Sequence, residues 1–103
     1  STKKKYLIFS GIGNPQNFKK ILLMNKIKII RELRFPDHYE YKKNDILNIK
    51  KIAKKLDAEI LTTEKDYVKI KKNDQKDIGY LIIKIKILNS KKLTDFIKLK
   101  LYG

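Results

Sequence analysis

The chain has 103 residues, 42% of them hydrophobic and 36% charged, with a formal net charge of +15 and no cysteine. That length and apolar content suit one domain with one core, spanning residues 1–103. A disulfide framework and a thiolate metal site are excluded, one histidine cannot build a zinc site, and no apolar run approaches the roughly 20 residues that span a bilayer.

Tyr6 to Ser10, YLIFS, is a run of strand formers that stops at Gly11. After the Gly-Ile-Gly turn, Asn14 is placed to cap a helix, and Pro15 stands at its first position, where a missing N–H is harmless. That helix runs to about Asn25, with Phe18, Ile21 and Leu22 on one face. Ile27 to Leu33 reads as a second strand, broken before Pro36. Asn44 or Asp45 opens an amphipathic helix to about Leu56, in which Ile46, Ile49, Ala53 and Leu56 recur at helical spacing. Ala58 to Thr62 is a third strand. Thr63 then caps a helix, Asp66 gives a short form of the capping box, and Tyr67 and Ile70 point inward. Tyr80 to Leu88 is a fourth strand, with Lys84 and Lys86 alternating against isoleucines so that one face reaches water. Ser90 caps a last helix presenting Leu93, Phe96, Ile97 and Leu101.

Four alternations of strand and helix predict an α/β fold, a three-layer α/β/α unit around a mostly parallel four-stranded sheet. In such a sheet the segments GIGN, FPDH and TTEKD each follow the carboxyl end of a strand. They therefore gather along one edge, where open α/β folds place their ligand crevices.

Each segment has a bland and a functional reading. Gly11 and Gly13 precede a helix N-terminus, where backbone N–H groups cradle anions, but the third glycine of a dinucleotide fingerprint is replaced by Gln16. Plain strand-to-helix geometry explains the two glycines equally. Thr63, Glu64 and Asp66 are what a helix start favours through capping and the macrodipole. Lys65 is a cation at the wrong end of that helix and is the residue there suited to face an anion. In FPDHYEY, Pro36 holds Phe35 extended, and Asp37 either raises the basicity of His38 or accepts its N–H. His38 is a proton carrier near neutral pH or an incidental turn residue.

The charge is equally two-sided. Only Arg31 and Arg34 are arginine, whereas base-edge and bidentate phosphate contacts favour guanidinium, and the lysines are scattered over every segment. An AT-rich codon background explains abundant Lys, Ile and Asn, and a selected anionic partner such as a membrane surface explains the lysines. No specific nucleic-acid partner is expected. There is no Walker-type phosphate loop, no nucleophile elbow and no pair of metal carboxylates, so the chain by itself lacks the parts of a complete reaction.

Taken together, FSGIGNPQNF (9–18), RFPDHYEY (34–41), NDILNI (44–49) and ILTTEKDYVKI (60–70) resemble, in order and spacing, the carboxyl-terminal domain of the tetraacyldisaccharide 4'-kinase family. The resemblance covers roughly residues 6–70. It implies a two-domain α/β enzyme that phosphorylates the lipid A disaccharide precursor at the cytoplasmic side of the bacterial inner membrane. ATP and Mg2+ would be bound mainly by an amino-terminal phosphate-loop domain absent from this chain, and none by this fragment alone. His38 maps onto a histidine that works with an aspartate of the other domain in activating the sugar hydroxyl. Asp37, Lys65, Asp66, Thr63, Gly11, Gly13 and Asn14 are cleft-edge candidates, and no metal site is expected here. The implied partners are the amino-terminal domain, the lipid A precursor and an anionic membrane surface. The fragment itself is expected to be soluble, peripheral and inactive alone. The rival readings are a stand-alone basic α/β module binding nucleic acid or another polyanion, and a degenerate kinase remnant kept for protein contacts.

Overall fold

A computed structural model describes residues 4–11, 13, 15–88 and 92–100, with backbone only for Pro15, 83–88 and 92–100. The elements are β1 (Lys5–Ser10), α1 (Pro15–Met24), β2 (Lys28–Arg34), α2 (Lys43–Leu56), β3 (Glu59–Thr63), α3 (Glu64–Tyr67), a 3-10 turn (Lys72–Asp74), β4 (Ile78–Leu88) and β5 (Lys92–Lys100). The sheet order is β2-β1-β3-β4-β5. The first four strands run parallel, and β5 is antiparallel to β4.

The three layers follow from strand alternation. In β1, Leu7 and Phe9 join Ile46, Ile49 and Ala53 of α2 in one core, while Tyr6 and Ile8 join Phe18 and Leu22 of α1 in another. Ile60 and Leu61 of β3 divide in the same way. A sheet buried on both faces explains why β1 reads as a nearly unbroken apolar run. Each fully buried Leu or Phe contributes about 1.5–3 kcal/mol, so β1, with Leu7, Ile8 and Phe9 all at 0% exposure, is the centre of stability.

The helix ends have local causes. Asp45 lies in the first turn of α2 and its carboxylate accepts the backbone N–H of Lys42 at 2.8 Å. At the other end Asp57 takes the left-handed conformation (φ 55), and the Ala58 N–H reaches back to the Ala53 carbonyl at 2.9 Å. α3 is shorter than its sequence suggests, ending at Tyr67. Ile70 is still buried, but beyond the helix rather than on it.

The carboxyl-terminal segment corrects the sequence expectation. Residues 92–100 form a strand, not a helix. Leu93, Phe96 and Ile97 do recur at helical spacing, but Ile97-Lys98-Leu99-Lys100 alternates with period two, as Ile83-Lys84-Ile85-Lys86 does in β4. The two runs pair in register from Tyr80↔Lys100 to Leu88↔Lys92. A short lysine-rich helix with a narrow apolar stripe would gain little from packing, whereas pairing with β4 adds cross-strand contacts along the whole run. Ser90 and Leu101 lie outside the described residues, as do the side chains of Lys84 and Lys86.

The order β2-β1-β3 also fixes where a crevice would form. The chain leaves β1 for one side through α1 and returns through α2 to the other, so the topological switch point lies between the carboxyl ends of β1 and β3. Those ends are Ser10-Gly11 and Thr63.

Candidate functional site at the carboxyl edge

The switch point is closed by a carboxylate. Asp66, at 0% exposure, accepts at Oδ1 from the Gly11 N–H (3.1 Å) and the Tyr41 hydroxyl (3.1 Å). At Oδ2 it accepts from the Thr63 hydroxyl (2.6 Å), whose oxygen in turn accepts the Asp66 N–H (3.0 Å). Thr63 is thus the N-cap its sequence position suggests, and Asp66 joins three segments distant in sequence. One residue earlier, the buried Thr62 hydroxyl donates to the Phe9 carbonyl at 2.7 Å and ties β3 to β1 outside the ladder.

This network decides the reading of Gly11. Its N–H is committed to Asp66, so it is not part of an anion cradle. A β-carbon there would stand 3.1 Å from the Pro36 carbonyl oxygen, 3.2 Å from the Tyr41 hydroxyl and 3.3 Å from Asp66 Oδ1. Glycine is retained because the three segments meet over it. Gly13 is exposed, and a β-carbon there would meet only Asp37, Oδ2 at 3.4 Å and its Cγ beyond. Asn14 lies outside the described residues.

The FPDH turn is built on this base. The Phe35 N–H donates to the Ser10 carbonyl at 2.8 Å, so the β2–β1 ladder continues into the turn. Phe35 sits at the centre of an aromatic cluster, with ring centroids 4.9 Å from Tyr39, 5.3 Å from Tyr41 and 6.2 Å from Phe9. The Tyr39 hydroxyl donates to Asp45 Oδ2 at 2.9 Å and ties the far side of the turn to the start of α2. Between these anchors the Tyr39 N–H closes on the Pro36 carbonyl at 3.1 Å, leaving Asp37 and His38 at the tip.

His38 adopts φ 62, the left-handed region, and its side chain is 79% exposed. Asp37 Oδ1 accepts the His38 backbone N–H at 3.1 Å, and Oδ2 stands 3.7 Å from His38 Nε2. That separation is an ion pair when the imidazole is protonated, not a hydrogen bond. The turn therefore holds an imidazole out from a rigid base, and nothing in the core depends on its ring.

Lys65 lies on the other face of the sheet from the FPDH turn. It is exposed and shares a depression with Asn17, Phe18, Ile21, Thr63, Glu64 and Leu81, on the α1 side of the sheet. The edge thus gathers Gly11, Gly13, Asp37, His38, Thr63 and Asp66, with Lys65 beside Thr63 on its α1 side. Tyr41 is the residue that sequence reasoning missed. Its spacing two residues beyond Tyr39 carries no sign that its hydroxyl meets a carboxylate 25 positions away, a contact that only the tertiary fold supplies.

Burial, and the Asp66 carboxylate beside it, push the Tyr41 phenol well above its ordinary value near 10. A raised phenol binds its proton more tightly in the folded chain, so its contribution to stability is complete below about pH 10 and is lost as pH rises beyond that. Urea midpoints measured from about pH 9 to 11 are expected to fall steeply, and less steeply in Tyr41→Phe, which removes this titration while leaving the lysines unchanged. Identical slopes would show that the Tyr41–Asp66 pair has no such linkage.

Among the described residues no group of three His, Cys, Asp or Glu side chains could hold a metal ion, and no helix is long and apolar enough to cross a membrane.

Sheet order, two-faced core and carboxyl-edge turn define a doubly wound α/β domain whose most prominent chemical group is one exposed histidine. The family model described as tetraacyldisaccharide-1-P 4'-kinase matches residues 1–102, and the chain belongs to that family. The chain is 44% identical over 92 residues, 89% of its length, to the tetraacyldisaccharide 4'-kinase of Pelagibacter ubique (strain HTCC1062). It is 45% identical over 73% of its length to that of Rickettsia bellii (strain OSU 85-389), and 47% over 64% to that of Rickettsia typhi (strain ATCC VR-144 / Wilmington). The matched segments make up 29%, 23% and 21% of those relatives, so the chain spans less than a third of each. No solved structure matches the chain.

Proposed function

We propose that this chain is the carboxyl-terminal domain of a tetraacyldisaccharide 4'-kinase. In that reading the full-length protein transfers the γ-phosphate of ATP to the 4'-hydroxyl of the lipid A disaccharide precursor, and this domain forms one wall of the cleft. The observation that carries the proposal is the turn at 35–39: a histidine presented to solvent by a backbone locked on three sides, in a chain of this family. Phosphoryl transfer depends on positioning and charge stabilisation, together with a group that orients or deprotonates the acceptor. His38 is suited to that last task. Asp37 holds the turn through the His38 N–H and balances an imidazolium charge.

ATP and Mg2+ would be held by an amino-terminal phosphate-loop domain, which supplies the electrophile and its charge neutralisation when bound. Asp66, Thr63, Tyr41 and Gly11 act one step back, by fixing the edge from which the histidine projects. The protein would work on the cytoplasmic side of the inner membrane as a peripheral enzyme, where a lysine-rich surface gains about 1 kcal/mol for each cation near an anionic leaflet.

The test is turnover by two proteins in parallel, this 103-residue chain and the full-length protein that carries it, assayed for ATP-dependent phosphorylation of the tetraacyldisaccharide. The full-length protein is expected to turn over and this chain to give none. Turnover by this chain alone, or none by a folded full-length protein, would overturn the reading.

A further inference from the structure

Beside the turn lies a pocket of ≈ 650 Å³ lined by Lys42, Lys43, Lys69 and Lys71, together with His38 and Tyr39. Its one lining carboxylate is Glu40, which is exposed. Lys43 Nζ pairs with Asp74 at 3.2 Å, leaving the other three lysines without an ion pair among the described residues.

Lys69 is the unusual one. Less than 1 Å² of its Nζ is accessible, and that atom has no hydrogen-bond partner among the described residues. Withdrawing an ammonium from water without pairing it costs several kcal/mol, and a lysine that only filled space there would be replaced by methionine or leucine without loss. Nor is it a loosely placed surface chain. Its backbone N–H donates to the Asp66 carbonyl at 3.0 Å, and the next residue, Ile70, is buried in the α2-side core. The chain thus draws a cation into the lining of a pocket that Lys42, Lys43 and Lys71 also line, and α2 opens beside it at Lys43, adding the positive end of a helix. In a partly desolvated pocket these fields reinforce one another, because low-dielectric walls screen less than water does.

We infer that the pocket binds the phosphate-type oxyanion of a phosphorylated ligand, with Lys69 as its buried counter-charge. The flexible four-carbon stem of Lys69 carries its ammonium among the lining residues, while Lys42 and Lys71 contribute from the surface as flexible, hydrated charges. The inference does not rest on the kinase reading, because it concerns binding by this chain and is read without turnover.

The probe is pyrophosphate, titrated into the isotopically labelled chain at physiological salt and followed by amide shifts. Saturable shifts confined to residues 38–43 and 69–71 are expected, with a Kd of about 1 mM or tighter. Lys69→Met is expected to weaken binding about tenfold or more while leaving the thermal midpoint equal or higher, since it removes an unpaired buried charge. The double variant Lys19→Ser, Lys20→Ser on α1 removes more charge and is expected to leave affinity within about twofold. Vesicles with and without phosphatidylglycerol distinguish the source. Lys69-dependent vesicle binding assigns the phosphate to a lipid headgroup, and pyrophosphate binding without it assigns a soluble phosphate. Absence of saturable shifts, equal losses in the α1 and Lys69 variants, or a lower thermal midpoint in Lys69→Met would overturn the site.

Discussion

Asp66→Ala is expected to lower stability by about 3–5 kcal/mol, against a total on the order of 5–15 kcal/mol for a chain of this length, so that it folds marginally or not at all. The size follows from the donors left behind. The Gly11 N–H is fixed by backbone and cannot turn elsewhere, which alone costs about 1–3 kcal/mol when buried without a partner. The Tyr41 and Thr63 hydroxyls can rotate, but each gives up a hydrogen bond to a carboxylate, the stronger kind. Asp66→Asn is the control. Its amide oxygen can serve Gly11 and Tyr41 while its NH2 turns to the Thr63 oxygen, which has a second lone pair, so a loss of only about 1–2 kcal/mol is expected. With each kcal/mol worth about 4–8 °C in a domain of this size, the alanine variant should melt on the order of 20 °C lower. Equal losses for Ala and Asn, or an alanine loss below about 1 kcal/mol, would show that Asp66 is not the hub of the edge.

That hub marks the boundary of what the sequence makes legible. The parallel strands and the two long helices are local matters: Leu7 to Phe9, the spacing of Ile46, Ile49 and Ala53, and the placement of Pro15 and Thr63 each state their own structure. The gathering of GIGN, FPDH and TTEKD follows from strand direction alone. What the sequence does not state is how they touch. Asp66 reads as a capping residue and is one, but it is also the acceptor for Gly11, 55 positions away, a contact created by the sheet order. Gly11 likewise reads as a plain turn glycine or an anion cradle until its N–H is seen to be occupied. Lys65 had the stronger local argument for facing an anion and lies on the α1 side. Lys69, with no local argument at all, is among the described residues the lysine with a buried, unpartnered ammonium. β5 fails for a different reason. The short segment KLTDFIKLK satisfies helical and strand periods at once, and the partner that decides between them, β4, lies outside any local window.

The second large effect is on turnover. In the full-length protein His38→Ala is expected to reduce kcat about 100-fold or more, the range for loss of a general acid–base or orienting group. The fold should not suffer, because the imidazole is 79% exposed and the turn is held by Phe35, Tyr39 and the Asp37 carboxylate instead. The backbone sharpens the test. At φ 62 a histidine sits where glycine and asparagine are more at ease. His38→Gly should therefore leave stability unchanged or raise it by up to about 1 kcal/mol, and His38→Asn should keep the turn without the imidazole. A residue kept for its conformation would be replaceable by either with activity intact. One kept for its chemistry would lose turnover in all three variants while the melting temperature holds or rises, since function is then retained at the expense of stability. Full turnover in His38→Gly or His38→Asn would make His38 a turn residue and leave this domain as a cleft wall without a catalytic side chain.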